Sequence, residues 1–143
     1  MNKNYLTFLL DNNICAVEIS NVLEVLNYGN LTPIPCAQNY IEGLIYSREQ
    51  GISVINLRKK FGLKTKTPDK MTKIIVIEIL KTSEEGEKTT LYGLVADQVL
   101  DVVSLDETAE GKAGSKCSIP HDNIQTVLKS EDKNIILLNF TDL

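Results

Sequence analysis

The sequence predicts a mainly β protein of antiparallel strands with one short helix, and three observations carry that prediction. Seven short runs rich in Val, Ile, Leu and Tyr recur along the 143 residues, several with the period of two expected of strands that bury one face. Turn-forming clusters separate many of these runs. Helical periodicity is scarce.

The first two runs, YLTFLL (5–10) and ICAVEI (14–19), flank Asp11-Asn12-Asn13, residues that tolerate the backbone of a tight hairpin. SNVLEVLNYG (20–29) is the helix candidate: Asn21 and Glu24 have the spacing of an N-cap and its N3 partner, and Gly29 is placed to end it. LIYS (44–47) and ISVINL (52–57) flank a polar knot around Arg48. KIIVIEIL (73–80) and TLYGLVADQV (90–99) flank Glu84-Glu85-Gly86-Glu87, and NIILLNF (134–140) follows a turn at 130–134. IPHDNIQTVLK (119–129) fits either a turn of helix or a further strand, while 58–73 and 104–122 read as connections.

A chain of this length with 43% hydrophobic residues buries a real core as one domain or as a small two-lobed one. A net charge of −4 argues against nucleic acid or an anionic membrane as partner. Cys15, Cys36 and Cys117 form neither a CxxC pair nor an even framework and read as reduced thiols; the N-terminal stretch lacks a signal-peptide core, and no segment reaches the length of a membrane span. The expected location is the cytoplasm.

The inventory for chemistry is thin. The single histidine, His121, sits in a loop, so no His pair or Cys/His cluster is available for a metal, and no cofactor is expected. Cys36 has no base nearby to form a thiolate and reads as a packed small apolar residue. Glu84 and Glu85 belong to a hairpin tip rather than a cleft. EGKAGSK (110–116) lacks the GxxxxGK[ST] spacing of a phosphate loop. The basic run 58–73, interrupted by Pro68 and Asp69, reads as a solvated linker. The chain is not expected to be an enzyme.

Five blocks, TFLLDNNICAVEISNVLEVL (7–26), LTPIPCAQNYIEGLI (31–45), ISVINLRKKFGL (52–63), YGLVADQVLDVVSL (92–105) and IQTVLKSEDKNIILLNFTDL (124–143), together resemble the chemotaxis coupling family, the CheW-like domain, in order and spacing. The resemblance covers essentially the whole chain, 1–143, as one CheW-like domain. It implies two SH3-like β-barrel subdomains, the first from about 14–80 in part and the second from about 81–128 plus the terminal strands. It implies a non-catalytic adaptor that couples the cytoplasmic tip of a methyl-accepting chemoreceptor to the regulatory domain of the histidine kinase CheA. The positions matching the family's receptor groove are Val22, Val25 and Leu26 with Val99 and Val102; Arg48 and Glu24 match polar anchors, and Gly43 matches a glycine near the kinase-facing strand. A CheV-like or kinase-regulatory-like docking module in another signalling pathway, or a small-ligand barrel, is the alternative.

Departures from the family pattern fall at the knot and also at Ser53, Thr126 and Asn139, where the family usually has proline, glycine and aspartate. The family typically reads Asn-Leu-Arg-Gly where this chain has Tyr46-Ser47-Arg48-Glu49, and it has aspartate where Asn56 stands. With glycine missing directly after the arginine, Gly51 is expected to supply the positive φ of the turn, and Glu49 to place a negative charge beside the groove.

Overall fold

The computed structural model describes residues 2–47, 49–108, 111 and 119–140. Among the described residues ten strands, β1 (Asn2–Leu10), β2 (Asn13–Glu18), β3 (Val22–Asn27), β4 (Ile41–Ser47), β5 (Gln50–Asn56), β6 (Lys73–Ser83), β7 (Gly86–Ala96), β8 (Gln98–Asp106), β9 (Ile124–Ser130) and β10 (Lys133–Leu138), form two five-stranded sheets. Sheet A runs β8-β1-β2-β10-β9 and sheet B runs β3-β6-β7-β5-β4. A single turn of helix, α1 (Leu57–Lys60), follows β5. The hairpins β1–β2, β4–β5, β6–β7 and β9–β10 pair antiparallel, as expected, whereas β2 with β10 and β5 with β7 pair parallel.

Sheet B curls until its two edges meet. The chain after β3 reaches β4 through Thr32, which exchanges hydrogen bonds with Leu44 (2.9 and 2.7 Å), and Tyr28 Oη donates to Glu42 Oε2 at 3.3 Å. In sheet A, Leu105 of β8 and Leu128 of β9, the two edge strands, share one apolar cluster. Both sheets therefore enclose their own cores: Tyr5, Ala16, Leu105, Leu128, Ile135 and Leu137 in sheet A, and Ile45, Ile52, Val54, Ile74, Val76 and Val95 in sheet B.

A third and larger cluster joins the two sheets, drawing Leu6, Phe8, Cys15, Val17, Ile136 and Leu138 from sheet A and Ile55, Ile75, Ile77, Ile79 and Leu94 from sheet B. This explains the unbroken apolar run at 73–80. Successive strand residues point to opposite faces; Ile74 and Val76 fill the interior of sheet B, while Ile75 and Ile77 pack toward sheet A. Strand β10 behaves alike, with Ile135 and Leu137 turned inward and Ile136 and Leu138 turned toward sheet B.

Three expectations are corrected. Residues 20–29 do not form an α-helix: a 3-10 turn at Ile19–Asn21 leads into β3, and the Asn21 side chain donates to the Glu78 carbonyl (2.9 Å) across to β6 instead of capping a helix. Sheet membership interleaves along the chain, with β2 in sheet A and β7 in sheet B. The supposed connections hold structure: α1 opens the first, its N-terminus capped by Asn56 Oδ1 accepting from the Lys59 amide (3.1 Å) and Phe61 buried in the shared cluster, while β8 extends into the second. Cys36 is exposed at φ 61 in the irregular segment before β4, where no strand face is available to pack it; among the described residues Cys15 is the buried thiol, and Cys117 lies outside them.

Candidate functional site

Two irregular registers decide what the edge strands present. In β3, Val22 pairs with Ile77 but Glu24 pairs with Val76, so one extra residue is accommodated at Leu23. In β8, Val102 pairs with Leu6 and Val99 with Phe8, so Leu100 and Asp101 together oppose the single residue Thr7 and the extra residue falls within Leu100–Asp101. Thr7 fills this second bulge, its hydroxyl donating to the Asp101 carbonyl (2.8 Å) and accepting from the Asp101 amide (3.1 Å). A bulge leaves backbone groups out of the ladder, and the buried Thr7 hydroxyl satisfies them.

The consequence is a change of face. Directly paired residues lie on the same side of a sheet. Val22 and Val25 therefore share the face of Ile77 and Ile75, and Val99 and Val102 share the face of Phe8 and Leu6, the faces from which the joint core is built. Val22 and Val99 are half-buried against that core, whereas Val25 and Val102 remain 42% and 56% exposed. Val22 and Val99 thus pack on the joint core, and Val25 and Val102 continue the same two strand faces into solvent, giving an apolar border drawn from one edge strand of each sheet.

The other predicted site residues fall elsewhere. Leu26 pairs with Ile74 and packs with Leu23 inside sheet B, so it belongs to that core and not to the border. Glu24 accepts a hydrogen bond from the Ser47 hydroxyl, which ties β3 to the end of β4 immediately before the knot. Arg48 lies outside the described residues. Gly43 is buried beneath the 31–32 segment: a Cβ there would sit 2.7 Å from the Thr32 carbonyl oxygen, so only glycine permits this approach. The turn is also not as expected. Glu49 itself carries the positive φ (65°), and Gly51 does not.

Sequence reasoning overlooked a polar network on the far side of β5. Glu42 Oε1 accepts from Asn56 Nδ2 (2.7 Å) and pairs with Lys59 (3.0 Å). Burial alone would push the Glu42 carboxyl up, but Asn56, Lys59 and Tyr28 together hold it below the usual range. Asn56 uses both ends of its amide here, donating to Glu42 and accepting at α1, which an aspartate could not do. Next to it, Arg58 grips Asp97 through two parallel bonds, Nε to Oδ1 (3.0 Å) and Nη2 to Oδ2 (2.7 Å). Burial of Asp97 works against ionisation, yet Arg58 and the Asp11 amide hold its carboxyl below the ordinary range. These residues line a polar cleft of about 320 Å³ in which Arg58 pairs with Asp97 and Lys59 with Glu42, while Lys66 of the lining pairs with Asp69 beside it. Among the described residues no group of three His, Cys, Asp or Glu could hold a metal ion, and no helix is long and apolar enough to cross a membrane.

Comparison with known proteins places this geometry. Residues 4–143 match the family described as CheW-like domain. The chain is 27% identical to a chemotaxis protein CheW of Treponema pallidum over 71% of its own length and 57% of that protein, and 30% identical to a chemotaxis protein CheW of Thermotoga maritima over 71% and 62%. It thus spans less than two thirds of the length of these relatives. The crystal structure of the scaffolding protein TtCheW from Thermoanaerobacter tengcongensis superposes with a TM-score of 0.81 at 30% identity, covering 98% of this chain and 86% of the other.

Proposed function

Because the chain belongs to the CheW-like domain family, we propose that it is a non-catalytic cytoplasmic adaptor that couples the tip of a methyl-accepting chemoreceptor to the histidine kinase CheA. The observation that carries the reading is the apolar border of Val22, Val25, Val99 and Val102, which two register shifts turn outward from the joint core. A receptor tip is a helical bundle, and an amphipathic helix docks by laying its apolar face along such a border. Arg48 supplies the polar anchor that sets register, and the bond between Glu24 and Ser47 holds the strand ends that carry it. The surface of β4 around Gly43 serves the kinase, with Gly43 acting through the backbone fit it allows.

The test is reconstitution. Kinase autophosphorylation is measured with CheA and receptor tips from the source organism, with and without this protein. Receptor-dependent output should rise on addition of the wild-type chain and fail to rise with Val25→Asp, a charge that must be desolvated when a helix docks. Output that ignores the wild-type protein across every receptor refutes the proposal.

A further inference from the structure

The described chain passes between the two sheets at two places, residues 19–21 joining β2 to β3 and the single residue Asp97 joining β7 to β8. The second crossing is held from three directions. The Asp97 amide donates to the Leu9 carbonyl of β1 (3.0 Å), its carboxylate accepts from the Asp11 amide in the β1–β2 turn (2.9 Å), and Arg58 on α1 grips the same carboxylate through two bonds. Arg58 is in turn fixed by donating to the Lys64 carbonyl (2.7 Å), approaches the Asp11 carboxylate at 3.5 Å, and stands between Leu57, which is fully buried, and Phe61 in the joint core. The network therefore connects sheet B, through α1, to sheet A, through the first turn.

The valine border is built from one edge strand of each sheet, so its shape depends on how the sheets are set against each other. Val99 follows Asp97 by two residues. A shift at this crossing carries β8 relative to β3.

We propose that Arg58 and Asp97 form an orienting latch between the two barrels, and that these residues, without touching a docked helix, set the spacing of the apolar border and hence its affinity for a receptor tip. This rests on the docking role given above, and the experiment separates the two. Residual dipolar couplings report the relative orientation of the barrels, and titration with a receptor-tip fragment reports affinity, for wild type, Asp97→Asn and Arg58→Lys. Both measurements are made at a temperature where circular dichroism shows each variant folded. The expected result is a changed or averaged orientation in Asp97→Asn, with tip affinity lower by about fivefold or more. Arg58→Lys, which keeps the charge but not the two-pronged grip, should fall between it and wild type.

Unchanged orientation in both folded variants overturns the latch, whatever happens to affinity; changed orientation with unchanged affinity overturns its link to docking. Should Asp97→Asn fail to fold, Arg58→Lys alone decides by the same criteria. A wild-type protein that binds no tip removes the docking role, and the dipolar couplings still test the latch.

Discussion

Strands β6 and β3 are neighbours in one sheet and both are rich in branched apolar residues, but their fates differ. On β6 every residue from Ile74 to Ile77 is buried, alternating between the interior of sheet B and the joint core. On β3 the residue that shares the face of Ile75, Val25, is left 42% exposed. The same contrast separates β1 from β8, where Phe8 is fully buried and Val102 is 56% exposed. Central strands spend both faces on stability; their edge neighbours carry the same chemistry outward, where it is available to a partner.

The largest expected effect would break this comparison if it failed. Phe8→Ala removes a fully buried ring from the joint core and should cost about 3–5 kcal/mol. Val25→Asp, on an edge strand and partly in water, should cost about 1 kcal/mol or less while abolishing receptor-tip binding. Val22→Asp should lie between them, because Val22 is half-buried. Urea unfolding and a binding titration on each variant give the answer. Equal destabilisation by Phe8→Ala and Val25→Asp would make β3 a core strand like β6.

A second experiment sharpens the contrast at the other edge of sheet B. Gly43 lies on β4, and its neighbour Gly51 on β5, but only the first is pressed against backbone. Gly43→Ala should destabilise by about 2 kcal/mol, since its Cβ would meet a carbonyl oxygen that cannot swing aside. Gly51→Ala should change stability by no more than about 0.5 kcal/mol, because φ is not positive there and its Cβ would meet only the side chains of Tyr46 and Leu44 at ordinary distances.

How much of this was legible in the sequence follows from the physics of period. The hairpins and the long apolar run at 73–80 were readable, because alternation and turn residues are local signals. Residues 20–29 misled because Asn21 and Glu24 imitate the spacing of a helix cap, although Asn21 bonds across to β6; the β-bulge at Leu23 that puts Val22 and Val25 on one face is not a local signal. The same device at β8 puts Val99 and Val102 on one face, and no single-strand pattern reveals it. The proposed receptor-groove positions were available only through the family resemblance, Leu26 among them, whose register places it with Ile74 on the face that packs inside sheet B. The latch was missed because Arg58 and Asp97 are 39 residues apart in sequence and their pairing exists only once β5 lies beside β7.

The latch has a pH signature that distinguishes the polar side of the molecule from the apolar one. The Asp97 carboxyl titrates below its ordinary value of 3.8 in the folded chain. A depressed carboxylate adds stability that is complete above the unfolded-state value and is lost as pH falls through the folded one. The stability difference between wild type and Asp97→Asn should therefore be flat from roughly pH 5 to 8, at about 1.5–3 kcal/mol for hydrogen bonds to a charged group, and shrink below about pH 4. Glu42 is shifted in the same direction but is common to both proteins and cancels. Denaturant melts across this range check it; a difference that persists undiminished at pH 2 would mean that Asp97 contributes through shape rather than charge. Phe8→Ala, by contrast, should show a pH-independent loss.

The smallest effect concerns the turn between β4 and β5, where Glu49 adopts φ 65°. A side chain in the left-handed region crowds its own carbonyl, at roughly 1 kcal/mol for a residue other than glycine, asparagine or aspartate. Glu49→Gly should therefore stabilise the chain by about 0.5–1 kcal/mol, the sign opposite to most surface substitutions. Its side chain is exposed, so no packing is lost. The functional half of the test is independent of this gain. If the Glu49 charge discriminates among receptor tips, Glu49→Gly should raise affinity most for tips that are acidic at the contact, and Glu49→Gln, which keeps the strain but removes the charge, should do the same without the gain in stability. A panel of receptor tips titrated against all three proteins separates the terms. Equal affinities throughout would leave Glu49 as a strained but solvated turn residue, and a Glu49→Gly melt that does not rise would show that the turn accommodates φ 65° without strain.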